Sequence, residues 1–279
     1  MHRHSAVWHG ISEVPADWPA CAVALGVFDG VHRGHAWLIE NTLRAARKSG
    51  LPTVVVTFDP HPAQVLGLPR DTSALSTVDR RAGLVRELGV DRVCVLPFTH
   101  QLARMSPEEF VEHILVDVLH ATTVVVGANF TFGHRGAGNV ETLRHLGHRH
   151  GFTTHGVHLL PTDSTRCSST HIRECLGRGD IRSATRALGR PHEVEGILSP
   201  SGEIAIATGT ALPHPGHYAG LISGRTVDLL VARTPGSDSP TLRLCSPDAP
   251  STARTPVRVQ FVDRLALRPE SGIASGRHQ

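Results

Sequence analysis

Two histidines lie three residues apart in the glycine-rich segment GVFDGVHRGH, residues 26–35. The segment follows the apolar run CAVAL and precedes a helical pattern. Such a junction presents free backbone N–H groups to an anion, and glycine lets the backbone approach it closely. The imidazoles of His32 and His35 add donors that can follow negative charge on a phosphoryl group. The spacing favours phosphoryl-group chemistry, and a structural role for the two histidines is the alternative.

A second candidate phosphate site reads SSTHIR, residues 168–173. Three hydroxyl residues open a predicted helix, and Arg173 follows one turn later. Hydroxyls and N–H groups at a helix start, backed by a guanidinium, can bind phosphate. A simple N-cap serine would explain one hydroxyl but not three with an arginine. Neither a P-loop motif nor a G-x-G-x-x-G fingerprint lies near the histidines.

Two further segments follow predicted strands. TFDPHP, residues 57–62, has two prolines and a histidine that predict a rigid loop over the site, or alternatively a purely structural turn. GANFTFG, residues 127–133, sets Phe130 and Phe132 beside the amide of Asn129. That combination suits stacking on, and hydrogen bonding to, a flat heterocycle.

The elements that must position these residues alternate between strand and helix. Short apolar runs such as CAVALGVF, TVVVTF, DRVCVLPF, TTVVVGA and TTHGVHLL are typical of buried parallel strands. Amphipathic helical patterns lie between them, and in the first of these the residues Leu38, Ile39, Thr42, Leu43 and Ala46 share one face. Ser106 followed by Pro107 predicts a helix start. The pattern predicts a doubly wound α/β domain with a parallel sheet over residues 18–189.

After Gly189-Arg190-Pro191 the alternation of strand and helix patterns ends. Six short strand candidates follow, separated by Gly, Pro, Ser and Asp: EVEGIL, EIAIATG, HYAGLISG, TVDLLVA, TLRLC and VRVQFVDRLAL. This spacing predicts a small antiparallel β-barrel domain over residues 190–271. The segments TPGSDSP and SPDAPSTARTP are predicted loops.

The amino-acid composition limits the kinds of function that we expect of this protein. Among 279 residues, 28 Lys and Arg face 25 Asp and Glu, and the basic residues are dispersed, so we expect no nucleic-acid partner. The five cysteines include no C-x-x-C pair, which disfavours a disulfide framework or a structural zinc site. No signal peptide or membrane span is recognisable, and we expect a soluble cytoplasmic protein. Most of the 20 histidines, including those near residue 150, are predicted to be solvated surface residues.

The string LGVFDGVHRGHAWLI resembles the bacterial bifunctional riboflavin kinase/FMN adenylyltransferase, or FAD synthetase, family within the H-x-G-H nucleotidyltransferase superfamily. VTFDPHP, VVGANFTFGHRGAG and CSSTHIRECLGRGDIRSATRALGRP agree with the same family in order. The resemblance covers roughly residues 20–191. It implies that an FMN phosphate oxygen attacks the α-phosphorus of ATP, which gives FAD and pyrophosphate, with Mg²⁺ bridging the ATP phosphates.

The resemblance and the residue types together assign the site. Catalytic roles are expected for His32, His35 and Arg173. Nucleotide binding is expected for Gly26, Phe28, Asp29, Gly30, Gly34, Ser168, Ser169 and Thr170. Flavin binding is expected for Phe58, His61, Pro62, Asn129, Phe130, Phe132 and Arg135. No dedicated protein metal ligands are expected, and the partners implied are the small molecules ATP and FMN.

The barrel region departs from the family pattern. The Gly-Phe-Pro-Thr-Ala-Asn element of the riboflavin kinase half cannot be found, nor can its expected acidic residue; TLRLCSPDAP stands there instead. Asp228 is the acid that could replace it. We therefore expect an FMN adenylyltransferase with a degenerate kinase domain. The alternatives are a nucleotidyltransferase that acts on a flavin analogue or another phosphorylated metabolite, and a non-catalytic flavin or nucleotide sensor.

Overall fold

The computed structural model of the protein describes residues 6–158, 167–233, 240–245 and 254–266. The chain divides into two compact units. The first comprises Met1–Arg173 and Thr185–Arg190, and the second comprises Glu174–Ala184 and Pro191–Gln279. This division groups residues 174–184 with the second unit, a grouping that the sequence alone does not indicate.

The first unit contains a parallel sheet of six strands in the order β1-β4-β3-β2-β5-β8. The strands are β1 (Val7–His9), β2 (Cys21–Leu25), β3 (Thr53–Asp59), β4 (Arg92–Pro97), β5 (Ala121–Gly127) and β8 (Thr153–Val157). A small antiparallel pair, β6 (Thr131–Phe132) and β7 (Gly138–Asn139), lies between β5 and β8 in sequence. The predicted parallel α/β architecture is confirmed.

Both faces of the sheet are covered, as the continuously apolar strands predicted. Val54 and Val56 of β3 pack in the same core cluster as Phe110 and Leu143. Val55, between them in sequence, packs in a second cluster with residues of the first helix, among them Ile39. Since successive side chains of a strand point to opposite faces, the two clusters lie on opposite sides of the sheet.

The helices agree with the predicted alternation. They are α1 (Arg33–Ser49), α2 (Pro62–Val65), α3 (Val78–Glu87), α4 (His100–Arg104), α5 (Pro107–Phe110), α6 (Val140–His150), α7 (Ser169–Arg178) and α8 (Ile181–Leu188). The predicted face of α1 is buried. Ser106 caps α5 in a capping box with Glu109, which confirms the predicted start. A π-helical segment, Val111–Val118, continues from α5.

Strand β1 was not predicted from the sequence. Its three residues pair in parallel with β4, with Trp8 opposite Cys94. Trp8 is buried and packs edge-on against Trp18, with 4.8 Å between ring centroids. Three residues are too few to display a period, so tertiary packing rather than local pattern defines this strand.

The second unit holds a closed antiparallel barrel in the order β10-β13-β12-β11-β14-β9. Its strands are β9 (His192–Leu198), β10 (Glu203–Ile206), β11 (Gly216–Ile222), β12 (Arg225–Arg233), β13 (Pro240–Leu244) and β14 (Thr255–Arg264). Tyr218, Phe261 and His192 are buried, and the Tyr218 and Phe261 rings meet edge to face at 5.6 Å. All six predicted strands are present, and the barrel is confirmed.

Residues 234–239 and 246–253, where most of the two predicted loops fall, lie outside the described residues. The same is true of three acids that the sequence offers to the barrel region, Asp238, Asp248 and Glu270. In the part of the chain that the structure describes, none of the helices has the length and apolarity needed to cross a membrane.

Candidate active site

The predicted site segments meet at one edge of the sheet. Strand order reverses between β2 and β5, and ligands of doubly wound sheets bind beyond the carboxyl ends of the strands at such a point. GVFDGVHRGH follows β2, TFDPHP ends β3 and GANFTFG follows β5. The Thr57 hydroxyl donates to the Val27 carbonyl at 2.6 Å, which ties the first two segments together.

The turn between β2 and α1 has an unusual backbone. Phe28, Gly30 and Val31 have φ values of 52°, 72° and 39°. Left-handed φ is unfavourable for a phenylalanine and more so for a β-branched valine. A side chain at Gly30 would bring its Cβ within 2.9 Å of the Leu75 Cβ, so glycine is required there for both conformation and space. The surroundings must therefore hold this turn in place.

The four successive carbonyls from Phe28 to Val31 all accept hydrogen bonds. The Phe28 carbonyl accepts from the Val31 N–H at 3.0 Å. The Asp29 carbonyl accepts from the Ser169 hydroxyl at 3.1 Å. The carbonyls of Gly30 and Val31 both accept from the guanidinium of Arg190. The turn is thus fixed by residues that are 140 or more positions away in sequence.

His32 caps the start of α1. Its Nδ1 accepts a hydrogen bond from the His35 N–H at 3.2 Å, which leaves Nε2 as the protonated nitrogen of the neutral ring. The two imidazoles stack with 3.6 Å between centroids and 16° between planes, and the Phe28 ring meets His35 edge-on. The His35 Nδ1 is buried without a hydrogen-bond partner in the described structure. The two histidines are therefore preorganised with a defined donor on His32.

Burial keeps both rings uncharged at neutral pH. Desolvation, assisted by the positive charges of Arg190 and Arg173, lowers the pKa of His32 to about 4. Desolvation also lowers the pKa of His35 well below its ordinary value, and the neighbouring His32, Arg81 and Arg190 act in the same direction. Neutral rings donate hydrogen bonds without repelling the surrounding arginines.

Asp29 is the centre of a buried polar network. It is 2% exposed, and its carboxylate accepts from the Leu75 N–H at 3.1 Å. Arg173 donates to the same carboxylate at 2.6 Å, and an Arg81 nitrogen lies 3.8 Å away on the other side. The Ser76 hydroxyl links Asp29 to the Gly30 N–H. Asp29, predicted to bind nucleotide, is engaged by protein groups in this structure.

Three guanidinium groups therefore surround the turn. Arg173, predicted as catalytic, also donates from Nε to the Ser73 carbonyl at 2.7 Å and is 7% exposed. Arg81 donates to the Thr57 hydroxyl and the Phe58 carbonyl. Sequence reasoning missed Arg81, which resembles an ordinary helix-surface charge, and Arg190, which it took for a domain break. These three cations outnumber the two carboxylates that act on Arg81, Asp29 and Asp59, so positive charge is in excess at this edge.

The predicted nucleotide-binding residues converge on the same edge. The Ser168 hydroxyl accepts from the His171 N–H as the cap of α7, and Ser169 bonds the Asp29 carbonyl. Thr170 is exposed. Gly26 donates its N–H to the Val56 carbonyl, and Gly34 is buried in the first turn of α1. Two of the three hydroxyls thus make hydrogen bonds to other groups of the protein.

The predicted flavin residues divide into two settings. Phe58 and Phe132 are each 8% exposed and belong to the core cluster of the sheet. Phe130 is half-buried and stacks on Phe132 with 5.7 Å between centroids. Asn129 is exposed beside it. Of the two adjacent rings, Phe130 has the more accessible face.

His61, Pro62 and Arg135 complete the predicted flavin set. His61 caps the short helix α2, with its Nδ1 accepting from the Ala63 N–H at 3.1 Å, and Pro62 is the first residue of that helix. Desolvation, with the nearby charge of Arg173, lowers the pKa of His61. Arg135 is exposed in a turn with φ 55°.

Within the described residues, no group of three or more His, Cys, Asp or Glu side chains is placed to hold a metal ion. Asp29, the buried acid of the site, is already engaged by arginines and backbone amides.

The fold and the site define a class. A neutral imidazole pair and a cluster of guanidiniums at the switch point of a parallel sheet define an α/β protein whose site suits an anionic ligand. Comparison with known sequences adds the family. The family model described as FAD synthetase matches residues 14–171, and the chain belongs to that family.

Two relatives are both named bifunctional riboflavin kinase/FMN adenylyltransferase. The Pseudomonas fluorescens protein is 35% identical over 201 residues, which cover 72% of this chain and 64% of the relative. The Listeria monocytogenes protein is 36% identical over 178 residues, which cover 63% of this chain and 56% of the relative. The chain thus spans somewhat less than two thirds of the length of these relatives.

A solved structure confirms the architecture. The crystal structure titled macrolide-efflux protein from Streptococcus pneumoniae superposes with a TM-score of 0.81 at 21% identity and covers 96% of this chain and 93% of its own. At that identity the similarity concerns the fold alone.

Proposed function

We propose that the protein is an FMN adenylyltransferase, which transfers AMP from ATP to FMN and releases pyrophosphate. The single observation that carries this proposal is the stacked, neutral pair His32 and His35 at the start of α1, surrounded by Arg81, Arg173 and Arg190. This arrangement offers donors and positive charge at one edge of the sheet, where a polyphosphate would bind.

The chemistry follows from those groups. A phosphate oxygen of FMN forms a bond to the α-phosphorus of ATP, and the bond between that phosphorus and the bridging oxygen to the β-phosphate breaks. The leaving pyrophosphate takes the electron pair. The FMN phosphate is already ionised at neutral pH, so the step needs no general base. His32 donates from Nε2 to the charge that develops on the α-phosphoryl oxygens, and the positive charge of Arg173 stabilises the triphosphate.

Magnesium enters this scheme with the substrate. The buried carboxylate of Asp29 accepts hydrogen bonds from Arg173 and the Leu75 amide, so it is not free to bind a metal ion in this arrangement. Mg²⁺ would bind the phosphate oxygens of ATP and neutralise part of their charge.

The acceptor pocket is proposed at the carboxyl end of β5. The half-buried Phe130 offers a ring face and the exposed Asn129 offers an amide to a planar heterocycle. Because β5 neighbours β2, this loop and the histidine turn share one edge of the sheet. The isoalloxazine of FMN is the heterocycle that the family membership favours.

We also propose that the barrel lacks riboflavin kinase activity. A kinase needs a carboxylate beside the hydroxyl that it phosphorylates. Among the described acids of the barrel, Glu193 and Glu195 pair with Arg258, and Asp263 pairs with Arg182. The other two described acids of the barrel strands, Glu203 and Asp228, are exposed, and Asp228 is the one that could substitute.

The experiment that tests these proposals offers the protein a panel of acceptor molecules. The purified chain is incubated with Mg²⁺, each of the four nucleoside triphosphates, and FMN, riboflavin, flavin analogues or unrelated phosphate esters, and products are identified by mass spectrometry. We expect FAD from ATP with FMN and no product from riboflavin. The rate of FAD formation should fall by about 10²–10³ in the His32→Asn variant, which preserves the helix cap.

The other outcomes decide between the remaining hypotheses. A dinucleotide formed from another phosphate ester but not from FMN would reassign the acceptor. Flavin or nucleotide binding without any product would favour a sensor. FMN formed from riboflavin would refute the proposed loss of kinase activity.

A further inference from the structure

The carbonyls of Gly30 and Val31 lie directly before His32 and accept hydrogen bonds from one guanidinium, that of Arg190. The Nη1 of Arg190 lies 3.0 Å from the Val31 carbonyl oxygen, and Nη2 bonds the Gly30 carbonyl. Arginine presents its donors in a rigid fork, so one side chain can fix two successive peptide groups.

The backbone at Gly30 and Val31 needs contacts that stabilise its conformation. Gly30 and Val31 both have left-handed φ, and each non-glycine residue in such a conformation is unfavourable by itself. The next residue, His32, leaves this region with φ −73° and caps α1. A rotation of the Gly30–Val31 or Val31–His32 peptide would therefore move the His32 backbone and redirect its ring.

We propose that Arg190 is a positioning residue: by bridging the Gly30 and Val31 carbonyls it holds the left-handed turn that aims the His32 Nε2 donor at the transferring phosphoryl group. This inference rests on the proposed adenylyl transfer. It assigns Arg190 a role through the turn and not through contact with ATP. Arg190 is half-buried, and its hydrogen bonds to the carbonyls of Gly30, Val31 and Leu188 are consistent with that role.

Two substitutions separate the effect of the positive charge of Arg190 from the effect of its hydrogen-bond geometry. His32 is faced by Arg190, Arg173 and the stacked His35, and His35 is additionally faced by Arg81. Arg190→Lys keeps the positive charge but cannot bridge two carbonyls with a planar fork. Arg190→Gln removes the charge. Arg86→Lys on the exposed surface of α3 is the matched control.

The test measures kcat, KM for ATP and the NMR titration of the His32 ring in the full chain. Arg190→Lys should lower kcat by about tenfold or more, since a preorganised donor is worth 10²–10³ when lost entirely. It should leave KM for ATP within about threefold and the pKa of His32 close to that of the parent. Arg190→Gln should lower kcat further and raise the pKa of His32. Arg86→Lys should change nothing.

A second measurement tests the turn itself. Glycine adopts a left-handed φ without the steric cost that valine has, so Val31→Gly reduces the need for Arg190 to hold the turn. Arg190→Lys should therefore lower the unfolding midpoint less in the Val31→Gly background than in the parent. Equal losses in both backgrounds would overturn the proposal. Unchanged kcat in Arg190→Lys, or an effect confined to KM for ATP, would also overturn it.

A failure of the proposed function can be distinguished from a failure of the role proposed for Arg190. If the parent makes no FAD, adenylyl transfer is wrong as a function. The coupling between Val31 and Arg190 would still show whether Arg190 holds the turn, because unfolding requires no substrate.

Discussion

The buried neutral state of His32 predicts a specific pH dependence of stability. The pKa of His32 is about 4 in the folded chain against an ordinary value of 6.5. The unfolded chain therefore binds the proton more readily than the folded one. The stability that this histidine contributes is complete above about pH 6.5 and is lost as the pH falls toward about 4.

The magnitude follows from the difference in pKa. One pKa unit corresponds to about 1.4 kcal/mol, so the full loss is about 3 kcal/mol, of which about 2 kcal/mol has been lost by about pH 5. At that pH most carboxylates are still ionised, which keeps their contribution small. His35 and His61 add losses of the same sign, because burial lowers the pKa of each.

His32→Asn isolates the contribution of His32. Asparagine is a good N-cap, so it can replace Nδ1 as the acceptor for the His35 N–H while removing the titratable ring. All three tryptophans, Trp8, Trp18 and Trp37, lie in the first unit, so their fluorescence follows the unfolding of that unit in urea. The free energy of unfolding is measured at about pH 7 and about pH 5 for both proteins.

We expect the parent to lose about 2 kcal/mol more than His32→Asn between these two pH values. Equal losses in the two proteins would mean that His32 titrates normally in the folded chain. The buried neutral pair would then be an incorrect description of the site.

Three further predictions concern neighbouring residues. His35→Ala should lower kcat for FAD formation by about 10²–10³ with the fold retained by circular dichroism, and near-normal turnover would remove His35 from the mechanism. Arg173→Ala should lower the free energy of unfolding by about 3–5 kcal/mol as well as turnover, because it leaves the Asp29 carboxylate buried without its 2.6 Å partner; an unfolding curve like that of the parent would contradict the pairing. Phe132→Ala should lower the free energy of unfolding by about 3–5 kcal/mol, whereas Phe130→Ala should chiefly raise KM for FMN; the reverse pattern would exchange their roles.

Much of the fold could be predicted because its strands and helices carry local patterns. Val54, Val55 and Val56 form an uninterrupted apolar run, as strands buried on both faces do. The short strand β1 carries too few residues for a pattern and depends on packing of Trp8. The site was predictable where residue type and spacing were unusual, as with His32 and His35.

The rest of the site depends on pairing between distant residues. Asp29 meets Arg173 across 144 positions, and Arg190 meets the Gly30 carbonyl across 160. Arg81 has no local feature that separates it from solvated arginines on other helices. Phe132 looks like a stacking residue in the sequence, but the structure buries most of its surface in the core. Such contacts depend on the tertiary fold and not on spacing.

The activity proposed for this chain is the transfer of an adenylyl group from ATP to FMN. The most direct measurement compares ATP labelled with ³²P at the α-phosphate or at the γ-phosphate, with FMN or riboflavin as the acceptor. We expect the α-label in FAD, the γ-label in pyrophosphate, and no label in any flavin when riboflavin is the acceptor. Absence of the α-label from FAD would contradict the account.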